Sequence, residues 1–139
     1  MITPNLGRGD IVGWMSLRIN YIDIDCANPY ALAGFWSDVL GYPRHPEDSP
    51  GDEECELNAP PGAGPSLLFQ RVPEPKASKN RLHLDLRSPE GNSAGEIDRI
   101  LSLGATMVDD RRTLRPGGWA VLADPEGNEF CIDPNRPLW

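Results

Sequence analysis

Three polar side chains in the stretch NRLHLDLRS, residues 80–88, carry groups that could do chemistry. His83, Asp85 and Arg87 alternate with leucines, and a strand places alternate side chains on one face. A histidine beside a carboxylate fits a general base or a ligand anchor. The alternative is a hydrogen-bonded structural histidine next to an Asp85–Arg87 ion pair. His83 is therefore the catalytic candidate of the sequence.

Cys131 is the second candidate, and it lies in the stretch NEFCID near the C-terminus. If Phe130 and Ile132 face the core, Cys131 shares the opposite face with acidic neighbours. A reactive thiol needs a lowered pKa, which a nearby histidine or arginine would provide. The alternative is a small neutral residue that fills space, as free cysteines often do.

Length and composition restrict the protein class. The 139 residues fit one domain, and the formal net charge of −8 disfavours nucleic acid or anionic membrane as a partner. No apolar run approaches the roughly 18 residues of a membrane span, and MITPNLGRGDIVG lacks the features of a secretory signal. Three cysteines without a CxxC spacing indicate reduced thiols, so we expect a cytoplasmic protein.

A pattern of strand, helix and Leu-Gly stop occurs twice, with the two stops 63 residues apart. WMSLRINYIDID (14–25) alternates as a strand and precedes a helix predicted over 29–40, with Asn28 as N-cap and Gly41 as stop. NRLHLDLRS precedes a second helix, predicted over 93–103. The sequence therefore predicts an α+β domain of two βαβββ units.

The predicted domain covers residues 14–134, with units at 14–72 and 80–134 and a linker at 73–79. DPEGN (124–128) fits a type I turn followed by a left-handed residue, which is a hairpin device. The acidic loop 47–56 has no calcium-loop spacing and is predicted to be solvated; a role as a lid stays open.

Further candidates lie on the other predicted strands. Arg18 and Asn20 are the counterparts of the His83 face on the first strand, and Arg18 fits either an anion clamp or a surface ion pair. Phe69 and Trp119, near the ends of late strands, are candidates for stacking on a flat ligand.

The sequence resembles the vicinal oxygen chelate superfamily, through FWSDVLGY after the first strand and DPEGNEF before the last. Its KNRLHLDLR is similar to that of the small glyoxalase-like domain proteins, which are related to bleomycin-resistance proteins. The resemblance implies two βαβββ units in one curved mixed sheet, the glyoxalase/bleomycin resistance/dihydroxybiphenyl dioxygenase fold. It also implies a concave small-molecule pocket and, in many members, a homodimer.

The resemblance also implies metal ligands, namely His, Glu or Gln on the first and last strands of each unit. His83 matches one position, whereas the first strand offers Arg18, Ile19 or Asn20 and the last strand of the first unit offers Phe69 or Gln70. Cys131 stands where a metal enzyme of the superfamily would carry glutamate. With only two histidines in the chain, a facial triad is disfavoured. We therefore predict no metal site and no cofactor, with a divalent metal as the alternative.

These observations favour a small-molecule-binding protein that acts by sequestration or resistance. The alternative is a lyase or isomerase that uses His83 with or without a divalent metal, so the sequence leaves open whether the protein is an enzyme. The predicted pocket residues are Arg18, Asn20, Phe69, Gln70, His83, Asp85, Trp119 and Cys131.

Overall fold

The computed structural model describes residues 16–114 and 118–133, so the predicted domain limits at 14 and 134 lie outside the described residues. The elements in chain order are β1 (Tyr21–Cys26), α1 (Pro29–Leu40), β2 (Glu54–Leu57), β3 (Ser66–Arg71), β4 (Asp85–Leu86), α2 (Ser93–Ser102), β5 (Thr106–Asp110), β6 (Ala120–Ala123) and β7 (Glu129–Ile132). The predicted α+β class is confirmed. None of the described helices is long and apolar enough to cross a membrane.

Each half of the chain builds a sheet with the same strand order. The first sheet runs β1-β3-β2 and the second β4-β7-β6-β5. In both, the first strand is parallel to the last strand of its half, and the remaining pairs are antiparallel. An isolated β-bridge between Arg44 and Leu57 of β2 occupies the position in the first sheet that β5 occupies in the second. The predicted curved sheet is thus divided in two, and no other described strand pairs with the outer edges of β1 and β4.

Local sequence determines where helix α1 begins and ends. The Asn28 side chain accepts a hydrogen bond from the Ala31 amide at 3.2 Å, and Pro29 occupies the first helical position. Gly41 has a φ of 75°, which is left-handed, and its amide donates to the Ser37 carbonyl at 2.8 Å. Both predicted signals are confirmed.

The first strand of each half is shorter than the sequence pattern predicts. Regular strand begins only at Tyr21 in the first half and covers only Asp85–Leu86 in the second. Leu17 and Leu82, which the alternation placed on a buried face, are 99% and 89% exposed. No described element covers these leucines, so burial does not stabilise a longer strand there.

Helix α1 holds the two halves together. Its Trp36 is 2% exposed and packs edge-to-face on Phe35 and on Phe130 of β7, with ring centroids 5.3 and 4.8 Å apart. At the C-terminal end of α1, Arg99 of α2 donates to two carbonyls of the last turn at 2.7 and 3.1 Å. Helix carbonyls that lack partners within α1 are therefore satisfied by the second half.

Candidate functional site

A cleft of about 1400 Å³ lies along β1 and along the segment that precedes β4. All six residues of β1 line it, as do residues 80–84, which lead into β4. Residues of the linker and of the DPEGN turn also contribute to the lining. Ligand sites are commonly concave spaces of this kind between structural units.

Asp124 of the DPEGN turn fixes the inner part of the cleft. It is 3% exposed, and its carboxylate accepts hydrogen bonds from the Trp36 indole N–H at 3.0 Å and the Asn128 side-chain amide at 2.9 Å. The backbone amides of Glu126 and Asn128 also donate to it, at 2.9 and 3.0 Å. Gly127 has a φ of 88°, so the predicted turn with its left-handed residue is confirmed. This buried carboxylate is fully satisfied and acts as a structural support.

Glu126 connects the same turn to the first half. Its two carboxylate oxygens accept hydrogen bonds from the backbone amides of Ala27 at 2.6 Å and Asn28 at 3.0 Å. These amides follow β1 directly, and all three residues line the cleft. The contact therefore fixes β1 relative to the second half.

Glu129 of β7 anchors the linker that borders the cleft. One of its oxygens lies 3.1 Å from the Lys76 ammonium nitrogen, and the other accepts the Asn80 amide at 3.0 Å. Burial alone would raise the pKa of Glu129, but the hydrogen bonds from Asn80 and Lys76 outweigh it and hold the pKa below its usual value. Glu129 therefore stays ionised and keeps residues 76–80 against the second sheet.

His83 lies on the lining of the cleft and is exposed. Its side chain forms no hydrogen bond or ion pair with another described residue, so the structural interpretation of this histidine has no supporting contact. The imidazole is available to a bound molecule as a hydrogen-bond donor or acceptor.

Two large apolar side chains border the same cleft. Ile19 is 73% exposed and Leu82 is 89% exposed, and both belong to its lining. Apolar groups that stay exposed beside a concave space provide a surface for an apolar ligand.

Cys131 does not have the surroundings of a reactive thiol. It lies opposite Asp85 in the β4–β7 register and is absent from the cleft lining. Burial raises the pKa of its thiol, and the negative charges of Asp85 and Asp133 raise it further, against a small opposite effect of Lys79. The thiol is therefore protonated at neutral pH.

The other predicted pocket residues are not part of the cleft lining. Phe69 is fully buried in the core against the helices, which argues against the predicted ligand contact. Gln70 donates to Glu54 at 3.2 Å, and Trp119 lies near Arg111, with 5.9 Å between the guanidinium carbon and the ring centroid.

Arg18 and Asn20 are exposed and precede β1. Neither belongs to the cleft lining, and the Asn20 carbonyl accepts the Ser66 amide at 3.3 Å. Of the eight residues predicted for the pocket, the structure therefore places His83 alone on this lining.

Sequence reasoning missed the polar face of β1 itself. Ile22 and Ile24 pack against the core, so Tyr21, Asp23 and Asp25 take the opposite face. The alternation of isoleucine with polar residues in YIDID indicates this face. The apolar residues that alternate just before it favoured the opposite assignment of the two faces.

Two repeated βαβββ units, with a cleft beside their first strands, define the architecture of the glyoxalase/bleomycin resistance/dioxygenase proteins. The sequence pattern of the glyoxalase-like domain matches residues 21–132, from the start of β1 to the end of β7. The chain therefore belongs to the glyoxalase-like domain family. A comparison with curated proteins finds no match.

Solved structures confirm the fold. A glyoxalase/bleomycin resistance protein/dioxygenase family enzyme from Burkholderia phytofirmans superposes with a TM-score of 0.66 at 21% identity, covering 86% of this chain and 100% of that one. The oxidase ChaP-H2 gives a TM-score of 0.62 at 23% identity, covering 88% and 96%. The fosfomycin-resistance protein FosX from Listeria monocytogenes, with Mn(II) and a dihydroxypropylphosphonic acid, gives 0.65 at 15% identity, covering 87% and 91%.

The Mn(II) in FosX raises the question of whether the cleft of this chain offers a similar ligand set. Within residues 16–114 and 118–133, a single group of three side chains brings metal-ligand atoms within 4.8 Å of one another. It consists of Asp48, Asp52 and Cys55, in the acidic loop and β2, and none of the three lines the cleft. His83 and Cys131 belong to no such group, so the cleft residues do not fit the metal ligands that the resemblance implied.

The acidic loop has its own internal hydrogen bonds. The Asp48 carboxylate accepts the Glu56 amide at 2.7 Å, and the Asp52 carboxylate accepts the Ser49 amide at 2.8 Å. Burial raises the pKa of the Cys55 thiol, and the charges of Asp48 and Asp52 add to this effect. The carboxylates of Asp48 and Asp52 converge here because their hydrogen bonds to backbone amides close the loop.

Proposed function

We propose that the protein binds a small organic molecule in the cleft beside β1 and β4. The observation that carries this proposal is the cleft itself, about 1400 Å³ in volume, with apolar side chains left exposed at its border. This volume exceeds the roughly 300–1,000 Å³ of typical ligand pockets, so a drug-sized molecule fits. The resemblance to resistance proteins supports binding and sequestration as the activity.

The lining supports recognition by an apolar surface with few polar contacts. Ile19 and Leu82 offer apolar area, and His83 offers a hydrogen-bonding group without a competing described partner. Asp124 and Glu126 are already engaged by the fold, so they shape the site and contribute less to direct contact.

Two matched leucine substitutions test the proposal. Leu82→Ser removes apolar lining, whereas Leu114→Ser changes a leucine that is also exposed, at 71%, but lies outside the lining. We expect Leu82→Ser to weaken binding of an apolar aromatic probe by about 1 kcal/mol, or fivefold in Kd, and Leu114→Ser to leave Kd unchanged. Equal effects of the two substitutions, measured by fluorescence titration, would contradict binding in the cleft.

A second candidate function is a lyase or isomerase in which His83 acts as a base. Its supporting observation is the exposed imidazole on the cleft lining. Metal analysis of protein purified without chelator tests the metal-dependent form. Stoichiometric metal that disappears in His83→Ala supports it, and metal content unaffected by that substitution contradicts it.

A further inference from the structure

The exposed face of β1 presents an aromatic ring followed by two carboxylates. Tyr21, Asp23 and Asp25 alternate with the core-facing Ile22 and Ile24. Residues two apart on a strand lie roughly 6.6 Å apart, so the three side chains form a row along the cleft. All three belong to the cleft lining.

The two carboxylates of this row are available to a ligand. Asp23 and Asp25 are exposed and form no hydrogen bond or ion pair with any residue in the described ranges. Three other acidic side chains of the lining differ, because Asp124, Glu126 and Glu129 are each engaged by donors of the fold, whereas Glu74 is exposed and lies on the linker rather than on a paired strand. The row therefore combines free negative charge with a defined position on a paired strand.

Tyr21 is held in place beside these charges. Its hydroxyl donates to a Glu56 oxygen at 3.4 Å across the first sheet. The charge of Glu56, with burial and this hydrogen bond, raises the pKa of Tyr21, so the phenol stays neutral. A fixed neutral ring near carboxylates suits a cationic group, because the ring face itself attracts cations.

The net negative charge of the whole lining also favours a cationic ligand. Six carboxylates line the cleft against two permanently cationic side chains, Lys76 and Arg81, and Lys76 is already paired with Glu129. Concave surfaces of one charge sign concentrate oppositely charged ligands and repel those of the same sign.

We propose that the ligand of this cleft is an organic cation: an ammonium or guanidinium group binds Asp23 and Asp25 while an apolar body packs on Tyr21. This inference rests on the proposed function and specifies its ligand class. The same negative charges disfavour anionic ligands at this face, such as a phosphonate or a carboxylate.

Three probes with the same ring system test the ligand charge. We would measure Kd for 2-naphthylmethylammonium, 2-naphthylmethanol and 2-naphthoate at low ionic strength, by fluorescence or calorimetry. We expect the cation to bind at least about fivefold more tightly than the alcohol and the anion to bind most weakly. Added salt should reduce the preference, because these carboxylates are exposed.

Aspartate substitutions locate the effect. Asp23→Asn and Asp25→Asn should each remove most of the preference for the cation and leave binding of the alcohol unchanged. Asp38→Asn, at an exposed aspartate of α1 outside the lining, is the matched control and should retain the preference. Melting temperatures of all three variants verify that the fold is intact.

The outcomes separate this inference from the proposed function. Equal Kd for the cation and the alcohol, or a preference that survives in both cleft variants, overturns the cation inference and leaves small-molecule binding intact. No binding of any of the three probes overturns the proposed function, and the inference with it.

Discussion

The buried hydrogen bond between Trp36 and Asp124 is the contact whose removal should destabilise the protein most. Asp124→Ala leaves the Trp36 indole N–H and the Asn128 amide without their acceptor in the interior. An unsatisfied buried donor costs about 1–3 kcal/mol, and we therefore expect a loss of about 3 kcal/mol in the free energy of unfolding. Asp38→Ala, at an exposed position of α1, should change it by less than about 0.5 kcal/mol.

A double-mutant cycle isolates the pair. Trp36→Phe removes the indole N–H while it keeps an aromatic ring against Phe130, so the cycle with Asp124→Ala reports the hydrogen bond. Urea unfolding monitored by circular dichroism should give a coupling energy of about 1–2 kcal/mol at unchanged m-value. A coupling energy near zero would refute the claim that this buried hydrogen bond stabilises the fold.

Three further predictions concern other contacts. Because the pKa of Glu129 is lowered in the folded protein, its ionised form stabilises the fold at neutral pH, and this stabilisation is lost as the pH falls from the ordinary carboxyl pKa through the lowered one. The free energy of unfolding of Glu129→Gln, measured with urea, should therefore decrease less at acid pH than that of the wild type. Arg99→Ala removes donors to the last turn of α1 and should cost about 1–2 kcal/mol by the same assay, with Arg99→Lys recovering only part of it. Cys131, whose pKa is raised, should react with iodoacetamide at neutral pH more slowly than free cysteine, as followed by mass spectrometry; equal rates would contradict its surroundings.

The helices and the hairpin turn were predictable because their signals are local. Asn28 and Gly41 define α1 through contacts within four residues, and Gly127 does the same for the DPEGN turn. The family resemblance added the repeated unit and the expectation of a cleft, neither of which a single element reveals.

The cleft residues were harder to predict because tertiary contacts select them. Glu126 and Glu129 bind backbone amides 98 and 49 residues away, distances over which sequence pattern carries no signal. For β1, the pattern of Leu17 and Ile19 suggested that their face of the strand is buried, whereas packing of Ile22 buries the opposite face. Register decides such assignments, and a shift of one residue exchanges the two faces of a strand.

The central claim is that a small organic molecule binds in the cleft beside β1 and β4, and an amide chemical-shift titration tests it most directly. The probe that binds best among the three naphthalene compounds would be added to isotopically labelled protein. We predict shifts concentrated in residues 21–28 and 80–84. Shifts confined to another region, such as residues 48–55, or no shifts at saturating probe, would contradict the claim.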